Sequence, residues 1–249
     1  MISTKRIQSL IIAGALAAGL SPVTTGVWAS TGVTVVELFT SQGCSSCPPA
    51  DALLGDLAQR DGIIALSLPV DYWDYLGWKD SLASPMHTER QRAYAKARGD
   101  RAVYTPQIVI NGREHVIGSR IGEVISLVEA AAEDALPVEV ELTESGSSLT
   151  VSISETEVPD GEIIVWMAGY TAEERIDIKR GENAGRQIAY YNVVRKLKPI
   201  GQWDGSAMTI DVPVAEWADK TLSGCVVIVQ RADKGGAGAI LGAAKITGL

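Results

Sequence analysis

Two cysteines separated by two residues, Cys44 and Cys47 in the run VVELFTSQGCSSCPPAD, constrain this chain more than any other feature. The apolar, β-branched segment before them, residues 33–40, reads as a buried strand, and the segment after them, residues 48–60, as a helix. A thiol pair between a strand end and a helix start can close a small ring and reopen it. That setting favours redox activity over a purely structural bridge. A helix N-terminus stabilises negative charge, which lowers the pKa expected of Cys44, the first thiol. Exchange needs that nucleophile and a second thiol to resolve the mixed disulfide, and Cys47, one turn deeper, suits the second role. Ser45 and Ser46 could donate hydrogen bonds to the thiolate. The reading requires the sulfur pair to be accessible. A static disulfide is the alternative; a zinc site would need a second CxxC or more histidine than the two present.

Beyond residue 60, Asp61-Gly62 breaks the helix and IIALSLPV, residues 63–70, forms a second apolar run. Strand, helix, strand in this order is a βαβ unit with parallel strands and a right-handed crossover. The irregular aromatic stretch DYWDYLGWKD follows. Ser84 as N-cap and Pro85 at the first position then start a helix that runs to about Arg98 and stops at Gly99. In AVYTPQIVINGREHVIG two strand-like runs flank Asn111-Gly112, the strongest short hairpin signal. Ser119 is the expected cap of a last helix, residues 120–134, with an apolar stripe of Ile121, Val124, Ile125, Leu127 and Val128.

With the CxxC at the first helix start and Thr105-Pro106 leading into the hairpin, residues 33–135 resemble the thioredoxin fold. The resemblance implies a cis-proline at Pro106, opposite the CxxC. Lacking an N–H, it leaves room for a partner's extended backbone. Cys44, Cys47 and Pro106 are therefore the candidate catalytic residues, with Thr105 beside them. Thioredoxins also carry a buried acid behind the CxxC. Glu37 is the candidate here, but it is Glu rather than Asp and one residue further from the first cysteine, so it stays outside the catalytic set. More narrowly, the runs VVELFTSQGCSSCPPADALL, VDYWDYLGWKD, YTPQIVING and RGENAGR resemble a bacterial family of secreted thioredoxin-like proteins, known mainly as a domain of unknown function. That resemblance spans nearly the whole mature chain and brings no substrate with it.

The N-terminus supports export. Lys5 and Arg6 precede a short apolar run, Leu10 to Leu20, and Val27 and Ala29 suit the −3 and −1 positions of a cleavage site. The run is too short for a comfortable membrane span. Residues 1–29 thus read as a signal peptide and the mature chain as periplasmic or secreted, where disulfides persist. The full chain has 22 basic and 30 acidic residues, a net charge of −8; without Lys5 and Arg6 the mature value is −10. That argues against nucleic acid and anionic membranes as partners. Of three cysteines, Cys225 lies apart in the apolar run CVVIVQ and reads as a buried, inert thiol.

Ligands on open α/β sheets bind beyond the strand ends, which places Asp71, Tyr72, Trp73, Asp74, Tyr75 and Trp78 beside the thiols. Tyr72 and Trp73, with Thr105, are the candidate substrate-contacting residues. Most such aromatics serve packing, with one or two exposed exceptions. His87 or His115 could join the cysteines in a copper(I) site, since soft thiolates suit that metal.

After Pro137 the pattern alternates through many short runs, from VEVELTE to AILGAAKI, as in an antiparallel β-sandwich. KRGENAGRQ, residues 179–187, reads as a hairpin tip from which Arg180, Glu182, Asn183 and Arg186 could reach the first domain, although a solvated or docking loop is the simpler account. GGAGAI lacks the strand-to-helix context of a phosphate loop and reads as a turn. The expected architecture is therefore an α/β thioredoxin-like domain with a helical insertion, residues 30–136, followed by a β-sandwich domain, residues 137–249. The expected function is thiol–disulfide exchange with protein thiols and no cofactor. A non-enzymatic binding module, or a copper(I)-carrying dithiol protein, is the rival.

Overall fold

The computed structural model describes residues 32–157, 161–217 and 221–248; the expected signal peptide lies outside them. The run TVVELFT is strand β1, Thr34–Thr40, buried along its whole length as a strand covered on both faces must be. Helix α1, Pro48–Ala58, follows, with Pro48 and Pro49 in its first turn, where no N–H is needed for the helix ladder. Strand β2, Ile63–Pro69, lies parallel to β1, with Val36 opposite Ala65. A 3-10 turn, Asp74–Leu76, and helix α2, Pro85–Arg98, come next. Ser84 caps α2 by accepting the Met86 N–H at 3.3 Å, and Gly99 ends it in the left-handed region at φ 82°.

Strands β3, Gln107–Ile110, and β4, Glu114–Ile117, form a hairpin. Asn111 (φ 48°) and Gly112 (φ 66°) supply the two left-handed residues that a twist-matched turn requires. Asn111 Oδ1 also accepts the Val35 N–H at 2.8 Å, tying the turn to β1. Helix α3 spans Ile121–Glu133. Its N-cap is Arg120, not the expected Ser119, and no side chain caps it. Arg120 instead reaches Glu123 within the first turn at 3.4 Å.

The second half holds β5 (Val140–Ser145), β6 (Ser148–Ile153), β7 (Ile163–Asp177), β8 (Gln187–Gln202), β9 (Met208–Pro213), the short helix α4 (Val214–Trp217), β10 (Gly224–Asp233) and β11 (Gly236–Thr247). The expectation of a self-contained sandwich after residue 136 takes a different form. Four of these strands continue the first sheet, giving eight in the order β11-β10-β7-β8-β2-β1-β3-β4, while β5-β6-β9 make a separate three-stranded sheet. The junction is a parallel bridge between Ser67 and Val193, reinforced by Asn192 Nδ2 donating to the Ala65 carbonyl at 2.9 Å.

Four hydrophobic cores are present among the described residues; the smallest joins Leu82 to Ile178, Ile188, Tyr190 and Val193 at the base of the β7–β8 hairpin, and the other three follow from the sheet plan. Val36, Leu38, Ile108 and Ile110 pack under α1 and α3. On the other side of the same strands, Val35, Phe39 and Val109 share a core with Val226, Ile228, Ile240 and Ala243, so the long sheet curls until its two halves face each other. The Ile240 N–H donates to the Asn111 carbonyl at 2.9 Å across that closure. On the outer face of the second half, Val165, Met167, Val227 and Val229 meet Leu142, Leu149 and Val151 of the small sheet. Cys225 is buried in this last core, and burial pushes its thiol up to about 12, consistent with an inert side chain. No helix among the described residues is long and apolar enough to cross a membrane.

Candidate functional site

The loop after β1 turns tightly so that two thiols meet at the start of α1. Cys44 N–H donates to the Ser41 carbonyl at 3.1 Å and Cys47 N–H to the Cys44 carbonyl at 3.2 Å. Cys47 is the N-cap residue of α1, with no side-chain cap hydrogen bond. Cys44 and Cys47 are joined in a disulfide with their Cα atoms 5.4 Å apart. The Cys44 sulfur also lies 3.4 Å from Ser46 Oγ. The peptide bond from Thr105 into Pro106 is cis. Pro106 is buried, and Gly118 packs against both it and Ala50 of the first turn of α1: a Cβ added to Gly118 would stand 2.9 Å from that of Ala50 and 3.2 Å from that of Pro106.

The accessibility expected of the sulfurs is not met. Cys44 is 2% exposed and Cys47 0%, whereas Ser45 and Ser46 between them are exposed. The hairpin tip between β7 and β8 docks on this loop; of the four tip residues that the sequence suggested could reach the site, Asn183 and Glu182 bond to the loop directly. Asn183, only 1% exposed, donates through Nδ2 to the carbonyls of Gln42 and Cys44, both at 2.9 Å. Glu182 Oε2 accepts the Ser45 N–H at 3.2 Å. Arg186 Nη1 reaches Asn183 Oδ1 at 3.3 Å and steadies it. Asparagine on a Gly-flanked tip usually signals a turn in solvent; here its amide reaches two carbonyls of the tight loop, one of which, Cys44, also accepts the Cys47 N–H.

The aromatic stretch holds the loop from the other side. Trp78 Nε1 donates to Gln42 Oε1 at 2.7 Å, and Asp80 Oδ2 accepts the Gln42 N–H at 2.8 Å. Trp73 Nε1 donates to Thr105 Oγ1 at 2.8 Å, linking this segment to the Thr105-Pro106 corner. Tyr72 is turned toward α2, its hydroxyl 3.1 Å from Gln91 Oε1, and burial pushes it up to about 12. Tyr75 is the outlier, 80% exposed on the 3-10 turn.

Glu37 does not lie behind the disulfide. It points into the core between the two sheet halves, where Arg90 Nε and Nη2 donate to its two oxygens at 2.5 and 3.1 Å and Tyr94 donates to Oε2. The acid nearest the thiols in sequence is Asp51. It lies four residues after Cys47 on α1, hence on the same helix face, and its N–H donates to the Cys47 carbonyl at 3.1 Å. Burial, with a smaller contribution from the Asp80 carboxylate, pushes the Asp51 carboxyl up to about 8, against the pull of the Thr40 hydroxyl. Neither Asp51 oxygen makes a well-formed hydrogen bond. Burial likewise pushes Asp80 up to about 6, although three backbone N–H groups oppose it. The i,i+4 spacing of Cys47 and Asp51 was visible in the sequence; the burial that makes it matter was not.

The histidines expected to complete a copper(I) site are engaged elsewhere. His87 is fully buried with Nδ1 2.7 Å from the Pro69 carbonyl, and burial pulls it down to about 4. His115 Nδ1 lies 3.0 Å from the Tyr104 hydroxyl. No group of three or more His, Cys, Asp or Glu among the described residues is arranged to hold a metal ion.

A family model described as "Protein of unknown function (DUF1223)" matches residues 35–230. The crystal structure of protein AGR_C_4864 from Agrobacterium tumefaciens is similar at 39% sequence identity and a TM-score of 0.77, covering 87% of this chain and 94% of that one. Among proteins with curated descriptions, none matches.

Proposed function

Because the chain belongs to the DUF1223 family, whose description carries no activity, its chemistry has to be read from its own site, and we propose that it is an exported thiol–disulfide oxidoreductase exchanging disulfides with protein thiols. The observation that carries this reading is the Cys44–Cys47 ring at the first turn of α1, on a loop that the β7–β8 tip holds through polar contacts to its backbone. Two of those contacts come from one amide. At about 1 kcal/mol per net hydrogen bond, these polar contacts hold the tip by far less than the roughly 5–15 kcal/mol of global unfolding; the cluster of Ile178, Ile188 and Leu82 at its base adds to that hold. Local opening of this kind exposes a site without losing the fold.

A thioredoxin-like frame is part of the proposal. It is supported by the order β1-α1-β2, α2, β3-β4, α3, by α1 and α3 sharing one sheet face, and by a buried cis-Pro106 that shares Gly118 as a neighbour with Ala50 of α1. In the forward direction a partner thiolate attacks the Cys44 sulfur. The Cys44–Cys47 bond breaks, the partner–Cys44 bond forms, and Cys47 leaves as a thiolate. Asp51, protonated at neutral pH and one turn below Cys47, supplies the proton. A second partner thiolate then attacks the partner's own sulfur and releases Cys44, whose charge faces the N-terminus of α1. Two electrons pass from the partner dithiol to the chain's disulfide; the reverse sequence oxidises the chain's dithiol.

A static bridge is the second reading, and the burial of both sulfurs favours it. Titration against dithiothreitol and glutathione buffers, read by alkylation and intact mass, separates the two. Exchange in the wild type, its loss in Cys44→Ala, and a covalent partner adduct at Cys44 in Cys47→Ala are expected. A potential below about −300 mV with no exchange against a model disulfide identifies a structural bridge.

A further inference from the structure

A cavity of about 410 Å³ opens between α2 and the strands of the second half, lined by residues separate from the disulfide loop. Its volume lies within the range of small-molecule sites. Two elements set which side chains face it. Met86, Glu89, Arg90 and Ala93 share one face of α2, at the i, i+3, i+4, i+7 spacing. Glu162, Ile164 and Trp166 alternate with Ile163, Val165 and Met167, which point into the core under the small sheet, so the first three turn to the cavity. Met86, Trp166 and Leu197 also pack on the core between the two sheet halves, which makes the floor apolar.

The charges around this floor do not balance. Two arginines line the cavity, and each is already paired. Arg90 donates through Nε and Nη2 to Glu37, and Arg231 through Nε and Nη2 to Asp233 at 2.6 and 2.9 Å. Glu89 and Glu162 are exposed and form no ion pair among the described residues. Glu162 Oε1 accepts only from the neutral amide of Gln202, at 2.8 Å. Lys96 reaches the carbonyl of Gly235, a lining residue, at 3.2 Å and offsets one carboxylate. One negative charge therefore stays in excess above an apolar floor. The Trp166 ring already faces positive charge, with the Arg90 guanidinium carbon 6.0 Å from its centroid, at the outer reach of that attraction. An anion would meet the surplus carboxylate. A neutral hydrocarbon would use the floor and leave the charge unanswered. A cation with an apolar body uses both.

We propose that this cavity binds a small apolar ammonium, its hydrocarbon body against Met86, Ile164, Trp166 and Leu197 and its cationic head at the carboxylates of Glu89 and Glu162. Both carboxylates are reachable from solvent, so no buried group has to be uncovered for the head to arrive. The inference does not rest on the redox reading.

Methionine-methyl NMR on the full chain tests it, because Met86 lines the cavity while Met167 and Met208 pack in the core beneath the small sheet. Benzylammonium, benzyl alcohol and phenylacetate are the probes, similar in shape and different in charge. Benzylammonium is expected to shift Met86 saturably, at about fivefold lower concentration than benzyl alcohol in low salt, the factor one exposed ion pair gives. Phenylacetate should bind more weakly than the alcohol, and Met167 and Met208 should not respond. Replacing both acids, Glu89→Gln with Glu162→Gln, should bring benzylammonium to the level of the alcohol and leave the alcohol unchanged. Salt at about 1 M, where the Debye length is about 3 Å, should do the same to the wild type with no substitution at all. No saturable Met86 shift with benzylammonium up to about 10 mM, equal binding of benzylammonium and benzyl alcohol to the wild type in low salt, or a preference that survives both substitutions overturns the proposal.

Discussion

Replacing Asn183 by alanine isolates what the hairpin tip does to the disulfide. The Asn183 amide makes two 2.9 Å bonds, to the carbonyls of Gln42 and Cys44, from a position only 1% exposed. At about 1 kcal/mol each, their loss weakens closure of the tip by about 2 kcal/mol. If the tip opens and closes fast relative to chemistry, the reduction rate scales with the open fraction. A change of about 2 kcal/mol then accelerates reduction by roughly 30-fold. The assay is disulfide loss in excess dithiothreitol, quenched by alkylation and counted by intact mass. Global destabilisation would also speed reduction, so the control is Val151→Ala, a cavity in the remote core under the small sheet. Once the two variants are matched in unfolding free energy by choice of temperature, only Asn183→Ala should be fast. Equal acceleration in both, or an Asn183→Ala rate within threefold of wild type, would refute the removable cover.

Two further outcomes follow from the site. Asp51 holds its proton to about pH 8 in the native state against 3.8 for an unperturbed carboxyl, so between those values the folded chain binds a proton the unfolded chain has lost. Its contribution to stability is therefore greatest below pH 4 and falls as pH rises toward 8. Denaturation of wild type and Asp51→Asn from pH 5 to 8 should show the variant gaining on the wild type by about 3 kcal/mol; parallel curves would remove Asp51 from the proton path. His87, pulled down to about 4, acts oppositely, losing stability as pH falls from 6.5, and cancels in that comparison. Tyr75, 80% exposed beside the loop, should be replaceable by alanine within about 0.5 kcal/mol of wild-type stability. Exposed aromatics often anchor partners, so Tyr75→Ala should slow exchange with a reduced protein substrate by about tenfold and leave the dithiothreitol rate unchanged; equal rates with both would deny it a docking role.

Local signals carried much of the first half. Ser84, Pro85 and Gly99 mark α2 because capping needs a side-chain acceptor at one end and a left-handed residue at the other. Asn111-Gly112 marks its hairpin for a similar reason. The α3 start was misplaced by one residue because nothing caps it, and a start fixed by tertiary packing leaves no cap residue to read. The second half was legible as strands but not as a sheet. Its junction with the first rests on the Ser67–Val193 bridge and on Asn192, a bond over 127 positions that no periodicity encodes. The tip residues Arg180, Glu182, Asn183 and Arg186 could be named from the sequence as able to reach the first domain, but which of them docks could not: the burial of Asn183 is explained only by its bonds to carbonyls 139 and 141 positions away.

That separation gives the molecule a history as well as a shape. A chain made from its amino terminus brings out both thiols about 136 residues before Asn183, an interval of roughly 10–30 s at ordinary synthesis rates. Throughout that window the sulfurs are naked to whatever oxidant or reductant surrounds the nascent chain. Bonding can therefore happen early and sealing late, and the redox state the finished protein starts with is inherited from its surroundings during birth.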